Sequence, residues 1–379
     1  MPTMQNLELL HHRMSSTHLP ALDGLRFLAV FLVIFYHSGF ENVPGGNGVM
    51  LFFVLSGFLI TWLLLKENES NGRISLKGFF KRRVLRIFPA FYAYAFLTLS
   101  FLVVTGRNVP WMHAISSLLY FSNYYSAFHP DSNNAFSHTW SLAIEEQFYL
   151  FFPLLFLLFC RNLKHLKIAI VGIIFATWIW RVVLVFGFNA SGGYVYSAFD
   201  TRLDNLLIGC LLAVVLRERS LVWLWSALLK NALVPLATFL LLAVSIYFCL
   251  NNVTYKSTVG FAVEPVLMAV LIAQMMTFSG SGFWKWLDWR PVKFLGLLSY
   301  SLYLYQQLTT SFVADQMADY PVVVRVAATV LMTVFAAAVS YYLVEMPFLK
   351  LKTMSIGQML AETRMQIAAA FGRRTANIV

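Results

Sequence analysis

Four sets of ionisable residues stand where a mostly apolar chain has least reason to carry them. In the run ALDGLRFLAVFLVIFYHSGF, Arg26 and His37 lie eleven positions apart. On an α-helix that separation is three turns plus about 20°, with a rise of about 16 Å. The two side chains therefore leave one face of one helix near its opposite ends. Imidazole is the side chain best suited to take and return a proton near neutral pH. The segment GFFKRRVLRIFPAFYAY crowds Lys81, Arg82, Arg83 and Arg86 at the mouth of another apolar run. Arg83 and Arg86 are three apart and share a face, and paired guanidiniums grip phosphate bidentately. HTWSLAIEEQFYLFFP sets Glu145 and Glu146 about one turn inside an apolar helix, and DTRLDNLLIG carries in Arg202 and Asp204. A carboxylate so placed can orient a histidine or polarise a hydroxyl.

Each residue also has a plainer explanation. Arg26 alone fits a side chain that snorkels to the headgroups. A lone intramembrane histidine fits a buried ring satisfied by one hydrogen bond, and the basic cluster fits an anchor for anionic lipid. Glu146 is expected to face water at the interface. Arg202 and Asp204 fit an internal ion pair as well as a substrate contact. The aligned Arg26 and His37 are harder to dismiss, because a charge at the bilayer centre costs roughly 2.5–3.5 kcal/mol on insertion scales.

The elements that must hold these residues follow from composition. Of the 379 residues 59% are hydrophobic and 12% charged, about half the charge of an average soluble domain. A soluble enzyme, a disordered chain and a disulfide-stapled secreted domain are excluded. Apolar stretches of the roughly 18 residues that a bilayer-spanning helix needs recur along the chain. Ten are expected, near 20–40, 48–65, 86–105, 141–160, 167–188, 200–216, 231–250, 259–278, 293–313 and 321–344. The fold class is thus all-α, a polytopic transmembrane helix bundle with N- and C-termini cytoplasmic, placed in the cell (inner) membrane as a multi-pass protein. On this map the cytoplasmic loops and tails hold most of the 28 Lys and Arg, and the outer loops hold only Arg107 and Lys256. Such a positive-inside bias accounts for the net charge of +11 with the bilayer as partner and no nucleic acid.

The same map settles the remaining segments. Residues 112–126 are expected to form a re-entrant or interfacial piece, since an eleventh crossing would put Arg161, Lys164 and Lys167 outside. The stretch from Lys66 to Arg86 reads as a polar cytoplasmic loop, residues 1–19 as a cytoplasmic tail, and residues 349–379 as a second tail lying on the membrane surface as a helix. The first apolar run reads as a retained helix, not a signal peptide. Cys160, Cys210 and Cys249 have no metal-ligand spacing and read as inert packing residues. The ionisable residues then fall into two layers, one basic and cytoplasmic, the other of His and acid near the outer face. A transferase with an inside donor and an outside acceptor fits this arrangement. The rival is a proton-coupled transporter or flippase using His37 and Glu145 as a relay.

LDGLRFLAVFLVIFYH, GVMLFFVLSGFLIT, FFKRRVLRIFPAFY, HTWSLAIEEQFYLFFP, DTRLDNLLIGCLLA, LSYSLYLYQQ and VEMPF occur in that order from about Leu19 to Phe348. Together they resemble the membrane-bound acyltransferase family 3, whose members O-acetylate bacterial polysaccharides, lipopolysaccharide, Nod factors and macrolides. The resemblance implies about ten helices over residues 20–348 and a cytoplasmic acyl-CoA donor, most often acetyl-CoA, with no permanently bound cofactor. It also implies transfer to a hydroxyl of a carbohydrate or glycoconjugate acceptor, or of a small glycosylated metabolite such as a macrolide. Arg26, Arg83 and Arg86 would hold the CoA phosphates, and a pantetheine arm is of the order of the Arg26–His37 separation. His37 would be the general base or a transient acyl carrier, and Glu145 would orient it or position the acceptor. The family's Ser-Gly-Phe turn falls on Ser56, Gly57 and Phe58. Ser56, Gly57, Glu146, Arg202 and Asp204 are further candidate substrate contacts. Gln306 stands where many members carry His, a subfamily variation. Members fused to an extracytoplasmic hydrolase-like domain hand the acyl group to it; here transfer is expected to finish within the membrane module.

Overall fold

The computed structural model describes residues 2–16, 19–40, 42–130, 132 and 134–351. The expected surface helix in the C-terminal tail lies outside the described residues. Among those described, every regular element is helical. The chain opens with α1 (Pro2–Ser15), α2 (Leu22–His37), α3 (Gly45–Asn71) and α4 (Leu76–Val104). Two short helices follow, α5 (Trp111–Leu118) and α6 (Ser122–Phe128), and then α7 (Trp140–Phe159), α8 (Leu163–Phe186), α9 (Gly192–Ser197), α10 (Phe199–Arg217) and α11 (Val222–Leu228). The last are α12 (Val234–Asn251), α13 (Val253–Phe278), α14 (Arg290–Leu297), α15 (Ser299–Gln316) and α16 (Val322–Lys350).

Seven helices are long and apolar enough to cross a membrane: α3, α4, α7 with its leading turn, α8, α12, α13 and α16. The other three expected spans correspond to α2, α10 and α15, and each falls short for a visible reason. Helix α2 has 16 residues, α10 carries Asp200, Arg202, Asp204 and Arg217, and α15 is rich in Ser, Thr, Tyr and Gln. Of the three, α10 is the most enclosed, with most of its residues buried. Helix α2 packs on α3, α14 and α15, and α10 lies between α3 and α8. Turned into protein, the polar residues of α10 and those on the buried face of α15 are kept from lipid that would reject them. By contrast α8, α12 and α16 turn bulky apolar side chains such as Phe175, Leu240 and Phe335 outward.

Local structure departs from the sequence reading in four places. The expected span at 293–313 is broken at Leu298, between α14 and α15. The polar stretch from Lys66 to Arg86 is mostly helical extension, leaving only residues 72–75 between α3 and α4. Ser75 caps α4 by accepting from the Gly78 backbone N–H at 3.0 Å. Residues 2–15 form a docked helix whose Leu7, Leu10 and Met14, spaced three and four apart, are buried. Arg13 donates to the carbonyls of Met276 and Thr277 at the end of α13, where the helix dipole favours a cation. Helices α5 and α6, of eight and seven residues, rise only about 12 and about 10 Å and are too short to cross.

The fourth departure concerns Ser56-Gly57-Phe58, which is no turn but the middle of α3. Here α10 crosses at backbone contact. A Cβ on Gly57 would stand 1.9 Å from the Leu206 carbonyl oxygen, and one on Gly209 would stand 2.0 Å from that of Val54. Small residues are what permit so close an approach. Gly57 thus serves the close packing of α3 on α10, in place of the turn expected there.

Candidate active site

Arg26 on α2, Ser56 on α3, Arg83 and Arg86 on α4, and Glu145 and Glu146 on α7 line one cavity of about 140 Å³. The spacing of three between Arg83 and Arg86 brings both to this wall. Arg82, between them and Lys81, is engaged elsewhere, 2.6 Å from Glu67 on the extension of α3. Arg26 pairs with Asp23 at 3.2 Å, one turn back on its own helix. Neither Arg83 nor Arg86 forms a salt bridge among the described residues, and Arg83 lies over the Tyr149 ring at 4.9 Å. Ser56 Oγ donates to Glu145 Oε1 at 2.6 Å. Glu146 joins the same wall, with one carboxylate oxygen buried and unpartnered, in place of the interfacial water expected for it. Three guanidiniums within mutual electrostatic reach thus face one small cleft.

His37, at the other end of α2, lines a second cavity of about 590 Å³. Its Nδ1 is 3.0 Å from the carbonyl oxygen of Val33. A carbonyl only accepts, so Nδ1 carries the proton, and in the neutral ring this leaves the Nε2 lone pair free. Asn47 donates to Glu264 at 2.6 Å, and Ser245 and Cys249 donate to the same carboxylate at 3.1 and 3.0 Å. Cys249 is thus a member of a polar network and not the inert filler expected. The two cavities share Val49 and Tyr303 as a common wall. The Tyr303 hydroxyl lies 2.6 Å from Ser141 Oγ and donates to the His138 carbonyl oxygen at 2.8 Å.

This arrangement corrects the expected role of Glu145 as the group orienting His37. The two residues line different cavities, and the partner that fixes the imidazole is the Val33 carbonyl. The expected Arg202–Asp204 pair is also corrected. Residues two apart on a helix point about 200° away from each other, and Asp204 instead receives both Nη groups of Arg181 at 2.8 Å and the Trp178 indole at 2.8 Å. Arg202, fully buried, lies over the Phe261 ring at 4.0 Å with none of its three nitrogens hydrogen-bonded. Gln306 is buried with both amide atoms unpartnered. Sequence reasoning missed Arg181, Glu264 and His138. The first two carry the signal used for Glu145, one charge inside an apolar run, and His138 opens a motif already singled out. Both ring nitrogens of His138 lack a hydrogen-bond partner. Among the described residues no group of three His, Cys, Asp or Glu is placed to hold a metal ion.

Fold and site together define a multi-pass cell-membrane protein with two adjoining cavities, each lined in part by ionisable side chains, at the two ends of one helix. The chain belongs to the acyltransferase domain family, whose signature matches residues 19–345. It is 33% identical to the Bacillus subtilis (strain 168) protein named "Putative peptidoglycan O-acetyltransferase YrhL", covering 89% of this chain and 55% of that one. It is 32% identical to "O-acetyltransferase OatA" of Staphylococcus aureus (strain NCTC 8325 / PS 47), covering 89% of this chain and 58% of that one. The chain therefore spans little more than half the length of these relatives. No solved structure matches it.

Proposed function

We propose that this protein is an integral membrane O-acyltransferase that moves an acetyl group from cytoplasmic acetyl-CoA to a hydroxyl of a sugar-containing acceptor outside. The names of its relatives favour a peptidoglycan-type glycan as that acceptor. The observation that carries this reading is the pair of cavities sharing Val49 and Tyr303, with three arginines on one side and His37 on the other. A donor and an acceptor could meet there across one layer of side chains. The acyltransferase domain occupies 20–348, with the docked helix of residues 2–15 before it and a tail at 349–379 after it. The seven apolar helices plus α2, α10 and α15 make ten crossings, with both termini cytoplasmic. That count puts the amino-terminal end of α2, and so the arginine cavity, nearer the cytoplasm.

In this scheme Arg26, Arg83 and Arg86 hold the CoA phosphates by charge-assisted hydrogen bonds. Pantetheine extends along α2 toward His37. The Nε2 of His37 takes the proton of the acceptor hydroxyl, whose oxygen attacks the thioester carbonyl; the tetrahedral intermediate collapses with loss of CoA thiolate, which the imidazolium reprotonates. Glu145, held by Ser56, balances the arginine cluster and sets the donor's approach.

The test is stoichiometry in proteoliposomes loaded with acetyl-CoA. Free CoA thiol released one for one with acetylated acceptor supports transfer. Acceptor that crosses the bilayer unmodified, with no CoA released, supports transport and rejects the enzyme.

A further inference from the structure

Arg202 is the anomaly of the molecule. A guanidinium with five N–H donors is fully buried, and Nε, Nη1 and Nη2 all lack hydrogen-bond partners. Buried charges are ordinarily paired, because an unpaired one forfeits its hydration without compensation. The carboxylates near it are already engaged. Asp204 is taken by Arg181, Trp178 and Asn205, and Glu264 by Asn47, Ser245 and Cys249.

A second cation stands close by. Lys256, in the first turns of α13, lines the histidine cavity and forms no salt bridge among the described residues. Tyr196 lies between the two: Arg202 Cζ is 5.6 Å from its ring centre and Lys256 Nζ 5.4 Å. Tyr196 and Phe261, the rings that cover Arg202, both line the cavity. One wall of the cavity thus has a cation at its surface and another directly behind it, in surroundings where water does little to screen them.

The geometry points to an anion subsite at this wall of the histidine cavity, held by Lys256 and reinforced by Arg202, that binds a carboxylate or phosphate carried by the sugar acceptor. The cavity, about 590 Å³, is within the range that small-ligand sites occupy. The inference rests on the proposed transfer reaction, in which this cavity receives the acceptor, and it names the acceptor's chemistry: an acidic glycan unit in preference to a neutral one. Opposed charge this near the reacting hydroxyl would fix the acceptor's orientation as well as its affinity.

The test compares three probes on the detergent-purified full chain by titration calorimetry. N-acetylglucosamine is neutral, N-acetylmuramic acid adds a lactyl carboxylate to the same ring, and N-acetylglucosamine 1-phosphate adds a phosphate. At least one of the acidic probes should bind tenfold or more tighter than the neutral one, and which of them does so separates a carboxylate source from a phosphate source. Lys256→Gln should bring the preference down to threefold or less. Arg202→Met should reduce it too, and Lys256→Gln keeps the test valid if Arg202→Met does not fold. Equal binding of all three probes, no binding of either acidic probe, or a preference unchanged in Lys256→Gln overturns the subsite. Release of CoA is read separately on the same preparations. Preference for an acidic probe without CoA release would uphold the subsite and reject the transfer reaction, and the converse would reject the subsite alone.

Discussion

Replacing His37 by Gln separates proton transfer from every other property of that position. Gln keeps much of the size and a hydrogen-bonding end that can face the Val33 carbonyl, at 3.0 Å from Nδ1 in the native chain. What it cannot do is accept the acceptor's proton. General-base catalysis typically contributes about 10²–10⁴-fold, which is about 2.7–5.5 kcal/mol of barrier. The local hydrogen bond contributes only about 1 kcal/mol to stability, so folding and membrane insertion should be little changed. Neither should donor binding change, since Arg26, Arg83 and Arg86 line the other cavity. The assay is CoA-thiol release at saturating acetyl-CoA, with donor affinity measured in parallel. His37→Gln and His37→Ala should both lose at least about 100-fold in turnover while the donor dissociation constant stays within about threefold. A His37→Gln protein that turns over near the native rate would make His37 a packed structural residue and refute the assignment of the base.

The double substitution Arg83→Gln with Arg86→Gln should raise the apparent Michaelis constant for acetyl-CoA by tenfold or more, since each charge-assisted hydrogen bond is worth about 1.5–3 kcal/mol; unchanged donor affinity in a folded protein would return both to a lipid-anchoring role. Asp204→Asn should lower the thermal midpoint sharply, because it leaves Arg181, buried with it at 0% side-chain exposure, without its counter-charge, a loss of about 3–5 kcal/mol. A midpoint within a degree or two of native would contradict that account of the pair. Single cysteines at Ser75 and Ser132 should be labelled from opposite sides of the membrane, Ser75 from the cytoplasm; labelling of both from outside would reject the ten-span map.

How much was legible in the sequence depended on which forces are local. The spacing of eleven between Arg26 and His37 fixed their common face, because an unbroken helix carries no freedom in that relation, and α2 runs without interruption from Leu22 to His37. The pairing of Arg83 with Arg86, and the all-helical architecture that lipid imposes on any backbone within it, were likewise readable in advance. Span counting was less secure. It measures apolarity, and the polar residues of α10 and the buried face of α15 are turned into protein, where they escape the penalty that a hydropathy reading assigns them.

What only the tertiary structure decided are the relations between helices. Gly57 became a crossing point because α10 brought the Leu206 carbonyl against it, and nothing within α3 announces that approach. Asp204 took Arg181 and not Arg202 because α8 and α10 pack side by side, while residues two apart on one helix cannot meet. Glu145, read as orienting His37 or positioning the acceptor, lines a different cavity from His37, because α7 packs against α3 and its Glu145 accepts from Ser56 there. Residue types and their periodicity along the chain specify which groups a helix presents on each face. Which groups then face each other depends on packing among many helices, a long-range outcome that no single segment encodes.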